Sequence, residues 1–179
     1  MSLLTADVGQ ALNPLLASVA EALRARGQRL CCAESCTGGL IAAACTELAG
    51  SSDWFDRGFV TYSNAAKTEL LGVPAALIEQ HGAVSEPVAR AMAEGALVRS
   101  AAQWALAVTG IAGPSGGSAE KPVGTVWLAW AYGPLQGAAP TVWAERQCWP
   151  GSRQAVRSAT LQWALGRLRL GLVELPGSI

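Results

Sequence analysis

The chain has 179 residues, 51% of them hydrophobic and 15% charged, with 13 Lys plus Arg balanced by 13 Asp plus Glu. That length and apolar content suit one folded domain and exclude intrinsic disorder, which needs low hydrophobicity and high net charge. The zero formal charge argues against a nucleic-acid binder, which carries a basic excess or stripe, and suits self-association because it gives little repulsion between copies.

The first dozen residues read as a lead-in. Asn13-Pro14 then marks a helix start, a capping side chain followed by proline at the first helical position. Leu15, Leu16, Val19, Ala20 and Leu23 follow at helical spacing as far as Gly27. Leu30 to Ala33 is a short apolar run, expected as a buried strand. After Glu34-Ser35-Cys36-Thr37-Gly38-Gly39, an alanine-rich helix is expected from Leu40 to Leu48. Asp56 to Tyr62 reads as a second strand, with Ser63 or Asn64 capping a helix through Leu71. Pro74 opens another short helix, and Ser85 caps one from Glu86 to Arg99, with Glu86 placed well for the helix dipole.

Trp104 to Val108 is a third strand, followed by a glycine- and proline-rich stretch, Gly110 to Pro122. Val123 to Tyr132 and Thr141 to Trp149 read as a terminal hairpin. Trp127 and Trp130 differ in parity, so they cannot share one face of a regular strand. Ser152 caps a last helix with Val156, Ala159, Trp163, Ala164 and Leu168 turned inward. Strands that alternate with helices and end in a hairpin specify an α/β fold, a three-layer α/β/α sandwich with a mixed, mostly parallel sheet. No repeat or linker divides the chain, so one domain is expected over 1–179, with its core at about 13–170.

Five cysteines, Cys31, Cys32, Cys36, Cys45 and Cys148, include no CxxC pair, and His81 is the single histidine. A structural zinc site needs four ligands in recognisable pairs, so no metal is expected and the thiols read as small buried hydrophobes of a reducing compartment. The N-terminus lacks the charged and apolar regions of a signal peptide. The longest apolar run, Val126 to Tyr132, is far short of the ~20 residues of a membrane span. A cytoplasmic protein, without a membrane partner, is the expectation.

Three segments carry unusual residues where strands end, the place open α/β sheets put their ligands. The first is Ser35 with Thr37, Gly38 and Gly39, a serine just before a helix whose free N–H groups can hold an anion or oxyanion; a simple N-cap would also use such residues. The second is Tyr62 with Lys67. A lysine near a serine can act as general base if burial lowers its pKa, and a tyrosine can relay the proton or hold the hydroxyl. The third runs from Thr109-Gly110 through Gly113, Ser115, Gly116 and Gly117 to Lys121, a loop whose N–H groups could cradle phosphate or carboxylate. It fits neither the P-loop nor the dinucleotide fingerprint.

The segments AESCTGGLIA (33–42), GSSDWFDRGFVTYSNAAKTELLGV (50–73), HGAVSEPVARAMAEGA (81–96) and AVTGIAGPSGGSAEKPVGTVW (107–127) together resemble the C-terminal domain of the competence/damage-inducible protein CinA. The likeness extends from about Gly27 to Arg169. Stand-alone members of that family are nicotinamide-nucleotide amidohydrolases, also called nicotinamide mononucleotide deamidases. Full-length CinA proteins carry a further N-terminal molybdopterin-binding-like domain, for which this length is expected to leave no room. The resemblance implies an α/β/α fold and hydrolysis of the carboxamide of nicotinamide mononucleotide to nicotinate mononucleotide and ammonia, a pyridine nucleotide salvage step without a cofactor. It implies Ser35 as nucleophile, Tyr62 and Lys67 as the supporting polar pair, and a substrate pocket lined by Glu34, Thr37, Gly38, Gly39, Thr109, Gly110 and the Gly113 to Gly117 loop.

An amide carbonyl needs a nucleophile, a base and an oxyanion site. His81 lies in a turn between helices and suits no triad, so a Ser–Lys arrangement with tyrosine is the available solution. The oxyanion is expected on N–H groups near Thr37 to Gly39. The substrate phosphate is expected either on the Gly113 to Gly117 loop or near Arg153, where Ser152 and a helix N-terminus favour an anion. The competing readings are a non-catalytic nucleotide-binding module and an amidohydrolase for another small amide. A homodimer through the sheet edge or the hairpin completes the expectation.

Overall fold

The computed structural model describes residues 6–133 and 139–174. Its centre is β1 (Leu30–Glu34), whose five residues are all buried, as a strand covered on both faces must be. β2 (Phe55–Val60) and β3 (Trp104–Gly110) flank it, both parallel to it. β4 (Thr125–Tyr132) and β5 (Thr141–Cys148) continue antiparallel, giving the order β2-β1-β3-β4-β5. Only β4 runs against the other four strands, so the sheet is mixed and mostly unidirectional, as expected. The last two strands are the expected hairpin; its connection at 134–138 lies outside the described residues.

The helices form the two outer layers. α1 (Ala6–Ala25), α2 (Leu40–Thr46) and α6 (Arg153–Glu174) cover one face, where Leu30, Cys32, Trp104, Leu106, Val108, Leu128 and Trp130 point. α3 (Asn64–Leu71), α4 (Ala75–His81) and α5 (Glu86–Val98) cover the other, where the same strands present Cys31, Ala33, Ala105, Ala107, Ala129 and Ala131. Period-two alternation puts bulk on one face and small side chains on the other. Gly95 in turn lets α3 approach α5 closely: a Cβ there would meet the Leu71 carbonyl oxygen at 2.1 Å. Trp130 and Trp127 pack on opposite faces, as their parity requires.

Several local expectations need correction. The first helix does not start at Asn13; it begins by Ala6 and carries Pro14 inside it, and residues 1–5 lie outside the described residues. Proline removes one N–H from the ladder, and the burial of Leu12, Leu16, Val19 and Leu23 holds the helix through that gap. Ser85 sits at the head of α5, yet its hydroxyl donates backwards to the Gly82 carbonyl at 2.8 Å rather than capping. Trp163, expected inward, is exposed and donates through Nε1 to Glu145 Oε2 at 3.1 Å. Thr160, Leu161 and Leu165 take the inward places instead. Cys148 is exposed, whereas the other four thiols are buried and all five are free. Among the described residues no helix is long and apolar enough to cross a membrane.

Candidate active site

β1 is the strand at which the chain order switches, with β2 on one side and β3 on the other. The crevice at its carboxyl end is therefore the favoured ligand position of an open α/β sheet. Glu34 pairs with both Val60 and Val108, which sets Ser35 between the ends of β2 and β3. Its N–H donates to the Val108 carbonyl at 3.1 Å, and the Thr61 N–H donates to the Glu34 carbonyl at 2.7 Å.

The turn after β1 requires two glycines. Gly38 has φ +60° and Gly39 φ +94°, a left-handed region that other residues enter only at a cost. The Glu34 side chain, fully buried, then reaches across the head of α2. Its Oε2 accepts from the N–H of Gly39 and of Ile41, each at 3.1 Å, and its Oε1 from the N–H of Ala42 at 2.9 Å. A carboxylate at a helix N-terminus is stabilised by the dipole and satisfies donors that have no partner inside the helix. This changes the expected assignment of Glu34: its oxygens hold the protein's own helix. The oxyanion expectation narrows as well. Gly39 N–H is taken by Glu34, and Gly38 N–H donates to the Ser35 carbonyl at 3.1 Å. The N–H groups of Cys36 and Thr37 remain, with no bond recorded among the described residues.

Lys67 comes from the first turns of α3, which Ser63 caps by accepting the Ala66 N–H at 3.0 Å. Its side chain is buried, and Nζ donates to Ser35 Oγ at 3.2 Å and to the Thr61 carbonyl at 2.9 Å. Burial moves its pKa below the ordinary lysine value; a charge on the Cys36 thiol would act the other way. The Cys36 thiol is itself pushed up to about 12, chiefly by burial, so it stays protonated and leaves Lys67 with no anionic partner there. Lys67 is thus an amine beside a serine hydroxyl, in surroundings that favour its neutral form.

A cavity of about 210 Å³ opens over these groups. Ser35, Cys36, Tyr62, Lys67, Thr109 and Arg153 line it together with Asn64, Ala83, Val84, Gly110 and Ala112. The site thus brings together all three expected catalytic side chains and Arg153. Tyr62 differs from expectation: it is 62% exposed, and its hydroxyl accepts from Arg153 Nη2 at 2.9 Å; no bond to Ser35 is recorded. Thr109 is on the wall, but its hydroxyl donates to the Ala83 carbonyl at 2.8 Å. Ser115, Gly116 and Gly117 are exposed and outside the lining. Gly113 contributes its carbonyl, which accepts from Arg153 Nη1 at 3.1 Å. Among the described residues no group of three or more His, Cys, Asp or Glu is placed to hold a metal ion.

Asn64, Ala83 and Val84 on the wall, and Arg157, whose Nη2 donates to the Thr37 carbonyl at 2.7 Å, are not among the site residues expected from the sequence. Asn64 lies inside the segment that carries Tyr62 and Lys67, and Ala83-Val84 in the HGAVSEP segment, so their positions were signalled. Arg157 carried no signal beyond its spacing of four from Arg153. A wider apolar groove of about 700 Å³ lies between α6 and β5, lined among others by Trp149, Trp163 and Leu170. It contains neither Ser35 nor Lys67.

Residues 12–172 match the family model of the CinA C-terminal domain. A protein of Enterobacter agglomerans named nicotinamide-nucleotide amidohydrolase PncC is 55% identical over 163 residues, covering 91% of this chain and 94% of that protein. A protein of the same name from Pseudomonas putida is 51% identical over 161 residues, covering 89% and 97%. The crystal structure of competence/damage inducible protein CihA from Agrobacterium tumefaciens has a TM-score of 0.84 at 44% identity, covering 97% of this chain and 100% of that one.

Proposed function

This chain belongs to the CinA C-terminal domain family, and from that premise we propose that it hydrolyses the carboxamide of nicotinamide mononucleotide, with Ser35 as nucleophile and Lys67 as general base. The observation that carries the reading is the 3.2 Å approach of the buried Lys67 amine to Ser35 Oγ. With one N–H on the Thr61 carbonyl, the neutral amine keeps its lone pair for the serine proton.

Lys67 takes that proton as Ser35 Oγ bonds to the carboxamide carbon, and the carbonyl electron pair moves onto oxygen. The N–H groups of Cys36 and Thr37 hold the oxyanion. When the carbonyl re-forms, the C–N bond breaks, and the leaving nitrogen takes the proton from Lys67 and departs as ammonia. Water then attacks the acyl-enzyme, again giving its proton to Lys67. The Ser35 ester bond breaks as Oγ takes that proton back from Lys67, and nicotinate mononucleotide leaves. Arg153 supports phosphate recognition better than the glycine loop does, because its guanidinium lines the cavity and Ser115, Gly116 and Gly117 do not. Tyr62 and the Gly113 carbonyl hold that guanidinium at the mouth.

The test is ammonia release from nicotinamide mononucleotide by wild type and Ser35→Ala side by side. Loss of the nucleophile is expected to cost about a thousandfold or more in kcat, and full activity in Ser35→Ala would sink the assignment. The reading also includes a cytoplasmic homodimer that meets through the sheet edge or the hairpin, checked by light scattering over a range of concentrations.

A further inference from the structure

The turn that carries Ser35 is held from two sides, and the second holder comes from the far end of the chain. Arg157 Nη2 donates to the Thr37 carbonyl at 2.7 Å. The other end of the same peptide, the Gly38 N–H, donates to the Ser35 carbonyl at 3.1 Å. The peptide plane between Thr37 and Gly38 is therefore fixed at both ends. The Thr37 side chain gives no help: it is fully buried and its Oγ1 has no partner among the described residues. Gly38 and Gly39, both left-handed, give this stretch the most conformational freedom of any in the turn. A charge-assisted bond is a strong way to remove that freedom.

Arg153 and Arg157 are four apart on α6, hence on one face of the helix. Between them they hold all three site segments. Arg153 takes Tyr62 after β2 and Gly113 after β3, and Arg157 takes Thr37 after β1. Both cations also lie near enough to Cys36 to act against the rise of its thiol pKa, to which burial and Glu34 contribute.

Building on the amidohydrolase reading, we propose that Arg157 is a positioning residue: by gripping the Thr37 carbonyl it sets the peptide next to the Cys36 and Thr37 N–H groups and so aligns the oxyanion donors with Ser35. Arg157 lies outside the lining of the cavity, so it acts through the turn. Such a residue affects the transition state more than substrate binding.

The experiment measures kcat and KM for ammonia release from nicotinamide mononucleotide in wild type, Arg157→Lys and Arg157→Ala. Thermal melts run in parallel, and Arg157→Gln replaces the alanine variant if that variant is unfolded. Expected for Arg157→Ala is a fall in kcat of about 10- to 100-fold, the scale of a small misplacement of reacting groups, with KM changed by less than about threefold on the same argument for selective transition-state binding. Arg157→Lys should lie between the two. Added guanidinium, at a concentration too low to denature, should restore part of the kcat where equal sodium chloride does not. An unchanged kcat, a loss confined to KM, or a kcat that guanidinium leaves unrestored overturns the proposal. A wild type that releases no ammonia overturns the amidohydrolase reading instead.

Discussion

The turn after β1 and the loop after β3 have much in common. Each leaves a buried parallel strand at the same edge of the sheet, and each closes on a small hydroxyl residue followed by two glycines, Thr37-Gly38-Gly39 in one and Ser115-Gly116-Gly117 in the other. Their environments diverge. In the first, Ser35 and Thr37 are buried, Glu34 holds three N–H groups and Arg157 holds a carbonyl. In the second the tip is exposed, and the base of the loop is tied instead, with Ile111 and Gly124 each bonded at 2.8 Å. Glycine pairs permit a shape in both places. A reactive group arises only where burial and fixed partners act on a side chain.

The strongest way to break this contrast is to remove the amine that the first turn faces, the base of the proposed mechanism. Lys67→Met keeps the buried length and deletes the amine. The expected loss is about 100- to 10,000-fold in kcat, the usual range for a positioned general base. The pH profile gives an independent reading. Burial holds the folded Lys67 below the ordinary lysine value of 10.5, and the proposed mechanism uses the neutral amine. In wild type kcat/KM should therefore rise with pH through a midpoint below 10.5 and fall as the amine protonates on the acid side. The variant's residual activity should lack that limb. A limb that survives in Lys67→Met would assign it to another group.

Arg153→Ala probes what joins the two segments, since this side chain bonds the Gly113 carbonyl of the loop and lines the cavity over the turn. A lost charged contact to substrate phosphate, worth about 1.5–3 kcal/mol, should raise KM about 10- to 100-fold. Nicotinamide riboside, which lacks the phosphate, should show no such penalty. Equal losses on both substrates would make Arg153 a structural tie only.

Glu34→Gln tests whether the first turn owes its order to the buried carboxylate. The amide keeps one acceptor for three N–H groups and turns a donor toward one of them. Leaving a buried donor unpaired costs about 1–3 kcal/mol, which for a chain of this size lowers Tm by several degrees, at about 2–4 °C per kcal/mol. An unchanged melt would show that α2 holds its own N-terminus.

Much of this was legible in the sequence, for physical reasons that also mark where legibility stopped. The buried strands, the Ser63 cap and the opposed faces of Trp127 and Trp130 follow from local chemistry and periodicity. So did the gathering of Ser35, Tyr62, Lys67 and Arg153, because the ends of neighbouring strands meet at the switch point. The start of α1 is not legible, because tertiary burial of Leu12 and Leu16 overrides a proline signal that is only local. Hydrophobicity alone points Trp163 inward, whereas an indole with a partner for its N–H, here Glu145, tolerates the surface. The holding roles of Glu34 and Arg157 are hidden for another reason: their partners are backbone groups, and no residue type in the sequence records which peptide a long charged side chain will reach.

The smallest effect is expected at the tip of the second segment, and it bears most directly on the contrast. Ser115 is exposed and outside the cavity lining, so Ser115→Ala should leave both kcat and KM within about twofold, as surface changes away from special features do. Thr37→Ala is the matching change in the first segment, and it removes a hydroxyl that is fully buried. If both variants behave like wild type, burial alone does not separate the two segments, and the pinned backbone carries the difference. If Ser115→Ala raises KM severalfold, the loop closes over bound nucleotide. Measuring KM for nicotinamide mononucleotide in the two variants decides between a segment that acts through fixed position and one that acts by moving.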